Sequence, residues 1–147
     1  MTSVALWLAT QLALGATATL GFAVWFRVPR ETLARVVLVG TTGFLVRQSL
    51  NAWGVAPPVS SFWAAMMIGV FGLTRARTFR YPRLIFTVTG VIPLIPGIPA
   101  YESLVRFTGG DLDGGVASMV QATLIILALG GGLTAARAVT FPRRPPR

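Results

Sequence analysis

The chain has 147 residues, 54% hydrophobic and only 12% charged, with a mean hydropathy of +0.71, whereas a soluble domain carries about a quarter charged residues. It has no cysteine and no histidine, which excludes disulfides, thiolate or imidazole metal sites, and Ser–His or Cys–His nucleophiles. The net charge of +9 comes from thirteen arginines in short groups between apolar runs, a membrane-topology pattern rather than the basic stripe of a nucleic-acid surface.

A membrane-spanning helix needs about 20 apolar residues. The uncharged run Ser3–Phe26 supplies 24 and predicts a first span over 3–26. It lacks a basic n-region and is longer than a signal-peptide core, so it reads as a retained span. A second span is expected over 33–53, with Arg47 inside it. A third follows over 58–74, where Pro57 and Pro58 mark the start, because a first helical turn tolerates proline. The fourth covers 84–105 and the fifth 115–136. The expectation is therefore an all-α integral membrane protein with about five transmembrane helices in a single domain, 1–147. It ends in a short basic cytoplasmic tail, 137–147, and shows no internal repeat.

Arginine placement gives the orientation. With five spans, eleven arginines share one side: Arg27, Arg30 and Arg35, then Arg75, Arg77, Arg80 and Arg83, then Arg137, Arg143, Arg144 and Arg147. The other side has Arg47 and Arg106, with Asp111 and Asp113. The positive-inside bias then puts the N-terminus outside and the C-terminus in the cytoplasm of a plasma-membrane protein. Small residues recur where helices pack closely in lipid: Gly40 and Gly43, then Ala65, Gly69 and Gly72, then Gly130 to Gly132.

The fourth span contains "VIPLIPGIPAYE", with Pro93, Pro96 and Pro99 at a spacing of three. Each interior proline removes a hydrogen bond and clashes with the carbonyl four residues back, at ~3 kcal/mol. The carbonyls freed are those of Thr89, Ile92 and Ile95. The residue before a proline is pushed to extended geometry, and Gly97 admits positive φ. Residues 92–98 are therefore not expected to form regular helix. Such a break is tolerated in hydrocarbon only where protein or a wet cavity surrounds it, as in the broken helices of transporters. Pro99 is expected to begin a second half-helix whose N-terminus attracts anions. The competing reading is an interfacial loop.

Two charges bear on this motif. Arg47 lies six residues before the outer end of span two, about 9 Å deep at 1.5 Å per residue. It is either a functional intramembrane charge, with a fork suited to a carboxylate, or a snorkelling side chain. Glu102 is a first-turn charge of the second half-helix, a partner for Arg47, or a proton-coupling carboxylate. The other acids, Glu31, Asp111 and Asp113, are scattered.

"IFTVTGVIPLIPGIPAYESL" resembles the signature of the threonine/serine exporter family, a P-x-x-P-G segment followed by tyrosine: Pro93, Pro96, Gly97 and Tyr101. Upstream, "GTTGFLVRQSL" is similar to the family's glycine–glycine–arginine pattern, giving Gly40, Gly43 and Arg47. The resemblance covers nearly the whole chain, and its length resembles the smaller subunit of two-component exporters. It implies export of small carboxylate metabolites (threonine and serine, or succinate) with a larger membrane partner. In the amino-acid branch it implies drive by the proton motive force. The substrate-binding set expected is Arg47, Pro93, Pro96, Gly97, Pro99, Tyr101 and Glu102, with no catalytic residue, metal or cofactor. The resemblance supplies no acid at the position of Glu102. The alternatives are a non-transporting scaffold, whose proline segment docks a partner helix, and a passive channel.

Overall fold

The computed structural model describes residues 2–79 and 83–140. Among the described residues the chain is helical, without strands. Helix α1 is Thr2–Trp25, α2 is Arg30–Ala52 and α3 is Pro57–Phe79. Helix α4, Arg83–Val91, runs into a 3-10 turn at Ile92–Leu94; α5 is Gly97–Thr108 and α6 is Leu112–Thr140. Residues 137–140, expected in a tail, are the last turn of α6, because no breaker precedes Pro142. Arg80 and the stretch 141–147 lie outside the described residues.

Among the described residues, three helices are long and apolar enough to cross a membrane: α1, α3 and α6. The pair 87–94 and 97–108 passes the same test together, as one bent unit. Helix α2 does not pass. It is long enough at 23 residues, but it carries Arg30, Glu31, Arg35 and Arg47 along with Gln48, Ser49 and Asn51. Its position explains how such a sequence is accommodated. Helix α2 packs against α1, α3 and α4 together, so Arg35, Arg47, Gln48, Ser49 and Asn51 are half-buried, while Arg30 and Glu31 at its start stay exposed. Helix α1 has protein on little of its surface and exposes Val4, Leu6, Leu14 and Val24.

Helix α6 is the other organising element, lying along α3 and then along α5. The central core joins Val39 of α2, Ala64, Ala65 and Ile68 of α3, Leu94 of the 3-10 turn, and Ile125 and Leu129 of α6. Small residues set these distances. Gly40 lies against Thr19 and the backbone of Gly90, and Gly43 against Ile68. Gly69 meets Ala136, while Gly132 meets the backbone of α3 at Phe62 and Met66. Gly130, in the same expected group, faces open space.

Helix ends are closed by local hydrogen bonds, as they must be where water is scarce. Helices α1, α2 and α5 all end in the same double-bonded C-cap. After α5, the Gly110 N–H donates to the Phe107 carbonyl (3.2 Å) and the Asp111 N–H to that of Arg106 (3.0 Å). The residue beyond the cap must turn left-handed; Gly110 does so at φ +83°, Gly54 at +81° and Arg27 at +52°.

Asp111 then caps α6. Its Oδ1 accepts the Gly114 N–H at 2.9 Å, and its Oδ2 accepts from Arg106 Nη1 at 3.0 Å. The Gly114 N–H, followed by the Arg106 hydrogen bond and charge, holds this carboxyl below its ordinary pKa. A folded-state pKa that is depressed gives stability present above the unfolded value of ~3.9 and lost as pH falls through the folded value. Hydrogen-exchange protection at 111–115 is expected to fall below about pH 4, and Asp111→Asn is expected to lack that acid-induced loss.

Candidate functional site

The proline motif breaks the helix, over fewer residues than expected. Residues 92–94 tighten into a 3-10 turn, only Ile95 and Pro96 leave helical geometry, and α5 resumes at Gly97. Pro99 is thus the third residue of α5, not its first. The reason is steric: the first turn has no intrahelical N–H bond to lose, so proline costs nothing there. The two halves differ in direction by 42°, so the chain bends and continues without doubling back.

Most freed carbonyls are recovered locally. The Ile92 carbonyl accepts the Ile95 N–H at 3.0 Å, and the Ile95 carbonyl accepts the Gly97 N–H at 2.8 Å. The Leu94 carbonyl is satisfied from another helix: Arg47 Nη1 donates to it at 2.7 Å. Leu94 itself is fully buried in the core, so the acceptor is held in place by its own side chain. A guanidinium there also meets the negative end of the α4 dipole. The bond is charge-assisted and short, the stronger kind. Arg47 Nε is buried and has no hydrogen-bond partner.

The N-terminus of α5 is a poorer anion site than expected. Gly97 spends its N–H on Ile95 and Pro99 has none, which leaves Ile98 as the first-turn donor. Pro96 is buried, and Pro93 and Pro99 are half-buried. Gly97 is exposed, and Tyr101 is 69% exposed on α5. Glu102 is the sixth residue of α5, past the first turn, because the helix begins two residues early. It is exposed, and among the described residues no ion pair joins it to Arg47. The structure therefore brings Arg47 to the Leu94 carbonyl, which lies between Pro93 and Pro96 in sequence, and places Tyr101 and Glu102 exposed on α5.

A polar chain beside Arg47 is absent from the sequence-based expectation. Gln48 Nε2 donates to Gln11 Oε1 of α1 (3.2 Å), and Asn51 Nδ2 to Gln48 Oε1 (3.5 Å). Ser60 Oγ of α3 donates to Asn51 Oδ1 at 2.5 Å. The available signal was four amide or hydroxyl residues interrupting apolar runs at 11, 48, 51 and 60. These bonds join the C-terminal end of α2 to the middle of α1 and the start of α3. Asn51→Leu removes the middle of the chain and leaves Ser60 and Gln48 without it. The expected outcome is a loss of about 1 kcal/mol of stability, read as a lowered Tm in detergent.

A surface groove of about 200 Å³ is lined by Arg35, Leu38, Val39, Thr42 and Phe71. Arg35 stands twelve residues from Arg47 on α2, roughly 18 Å away, so this groove belongs to the other half of the bundle. Metal-ligand clusters of three or more acidic residues are absent among the described residues.

Apolar helices of spanning length, a half-buried guanidinium and a helix broken beside it define an all-helical membrane protein. Residues 11–139 match the family model described as Threonine/Serine exporter, ThrE, and the chain belongs to that family. No solved structure matches the chain.

Proposed function

We propose that this chain is the small membrane subunit of a two-part secondary exporter, acting with a larger membrane partner on small carboxylate metabolites, either threonine and serine or succinate. The observation that carries the reading is Arg47 at the break. One of its five N–H donors holds the Leu94 carbonyl, and Nε is unpaired. A carboxylate is the ligand whose two oxygens match the remaining fork. In this reading the chain is one transmembrane domain of five spans. Helix α2 is the fifth, shielded by its neighbours, and α4 with α5 is a single broken span. The N-terminus is outside and the C-terminus cytoplasmic, in the plasma membrane. Pro93 and Pro96 shape the site beside Arg47. Gly97, Tyr101 and Glu102 act from the exposed side of α5 beside the half-buried Pro99, where the larger subunit completes the site.

The scaffold reading has its own support, since the Arg47–Leu94 bond also serves a purely structural purpose. Efflux separates the two. Cells loaded with threonine- and serine-containing peptides, or made to accumulate succinate, are followed with this chain alone, with the larger subunit, and with an uncoupler. Uncoupler-sensitive release of one class, only with both chains, is the expected result. Absence of release with both chains inserted supports the scaffold, and release that follows the gradient despite the uncoupler supports a channel.

A further inference from the structure

Gln121 is out of place on a lipid-facing helix. It lies in the uncharged run Gly114–Ala136, 23 residues bracketed by Asp113 and Arg137. Eight residues from Asp113 put it about 12 Å inside that boundary, beyond the reach of a glutamine side chain. It is exposed, and among the described residues no hydrogen bond involves its amide. A primary amide left unpaired in hydrocarbon costs several kcal/mol, by water-to-cyclohexane transfer.

The rest of α6 shows where neighbours of this chain reach. Its buried edge is Gly115, Ser118, Ala122, Ile125, Leu129, Gly132 and Ala136. Helix α5 covers the outer part, with the Phe107 ring against Gly115, and α3 joins from Phe62 at Gly131 and Gly132 inward. Gln121 falls outside this edge, and Ala117 and Leu124, four residues before it and three after, share its face at helical spacing. All three are exposed.

We infer that this face of α6 is an interface with a second copy of the chain. The two α6 helices would lie parallel about a twofold axis normal to the membrane. The amide is the group that points to a second copy. It carries a donor and an acceptor, so like residues on a twofold axis satisfy each other reciprocally. Two copies inserted in the same orientation bring the same residue to the same depth. Interhelical bonds of this kind hold membrane helices together where no hydrophobic force does.

The chain's lack of cysteine makes every introduced cysteine a sole reporter. Full-length Ala117→Cys and Leu124→Cys are oxidised in membranes, beside Met119→Cys and Ile126→Cys. The latter two are also exposed but turned away, Met119 by about 200° from Gln121. Disulfide-linked dimers are expected at 117 and 124 and not at 119 or 126. Adding Gln121→Leu to Ala117→Cys is expected to reduce cross-linking about tenfold, the equivalent of ~1.4 kcal/mol, while Gln121→Asn retains it. The inference is overturned by inserted protein that gives no dimer at these positions. Equal cross-linking on both faces, or capture of a larger-subunit helix in place of a second copy, also overturns it.

Discussion

Arg47→Ala is expected to abolish export while the protein remains in the membrane, and Arg47→Lys is not expected to restore it. The alanine variant removes the donor from a fully buried acceptor, the Leu94 carbonyl, a penalty of ~1–3 kcal/mol. Lysine retains a charged donor on a long stem and so recovers much of that stability. It lacks the planar fork that reads a carboxylate bidentately. The two substitutions therefore separate the roles of the residue. If Arg47 serves only the backbone, Lys restores both Tm and efflux. If it also binds substrate, Lys restores Tm alone. Thermal unfolding and efflux on the same preparations give the answer.

Gly132→Val is the most damaging substitution expected in the bundle, and Gly130→Ala, two residues away, is harmless. A Cβ at Gly132 is driven into the Phe62 carbonyl oxygen and lies 3.0 Å from both Ala65 Cβ and the Met66 nitrogen. Two of these are backbone atoms, so relief requires α3 and α6 to separate. That seam joins the long helices through the core that holds Leu94. Overpacking of this kind costs ~1–3 kcal/mol or more, and valine adds two further methyl groups. The expected result is low yield of folded protein and a large fall in Tm. Gly130 has nothing within 4 Å, so alanine there gains helix propensity of up to about 1 kcal/mol. Opposite signs at positions so close in sequence make the pair a sharp test of helix registry.

The all-helical, apolar character of the chain was legible because apolar runs and turn residues set where helices form. The break at the proline motif was also legible, because proline chemistry is local. Its extent was not. Proline at the third position of a helix is free of cost, so Pro99 did not mark the start of α5, and Glu102 moved out of the first turn as a consequence. Arg47 stood out as a charge in an apolar run, but its partner did not. The Leu94 carbonyl is a backbone atom with no signature of its own, and it was freed because Ile98 lies beyond the bend. The chain of Gln11, Gln48, Asn51 and Ser60 was missed for a related reason. Each residue is unremarked in its own segment, and meaning comes only from three helices meeting.

The central claim is that Arg47 reads a carboxylate at the broken helix. It is tested most directly by export in vesicles containing both subunits, with labelled substrate inside and competitor on the same side. The competitor is either the amino acid or its amide, which keeps the amine and side chain but lacks the negative charge. Strong competition by the acid and weak competition by the amide is the predicted result. Equal competition by acid and amide in the unsubstituted protein contradicts the account.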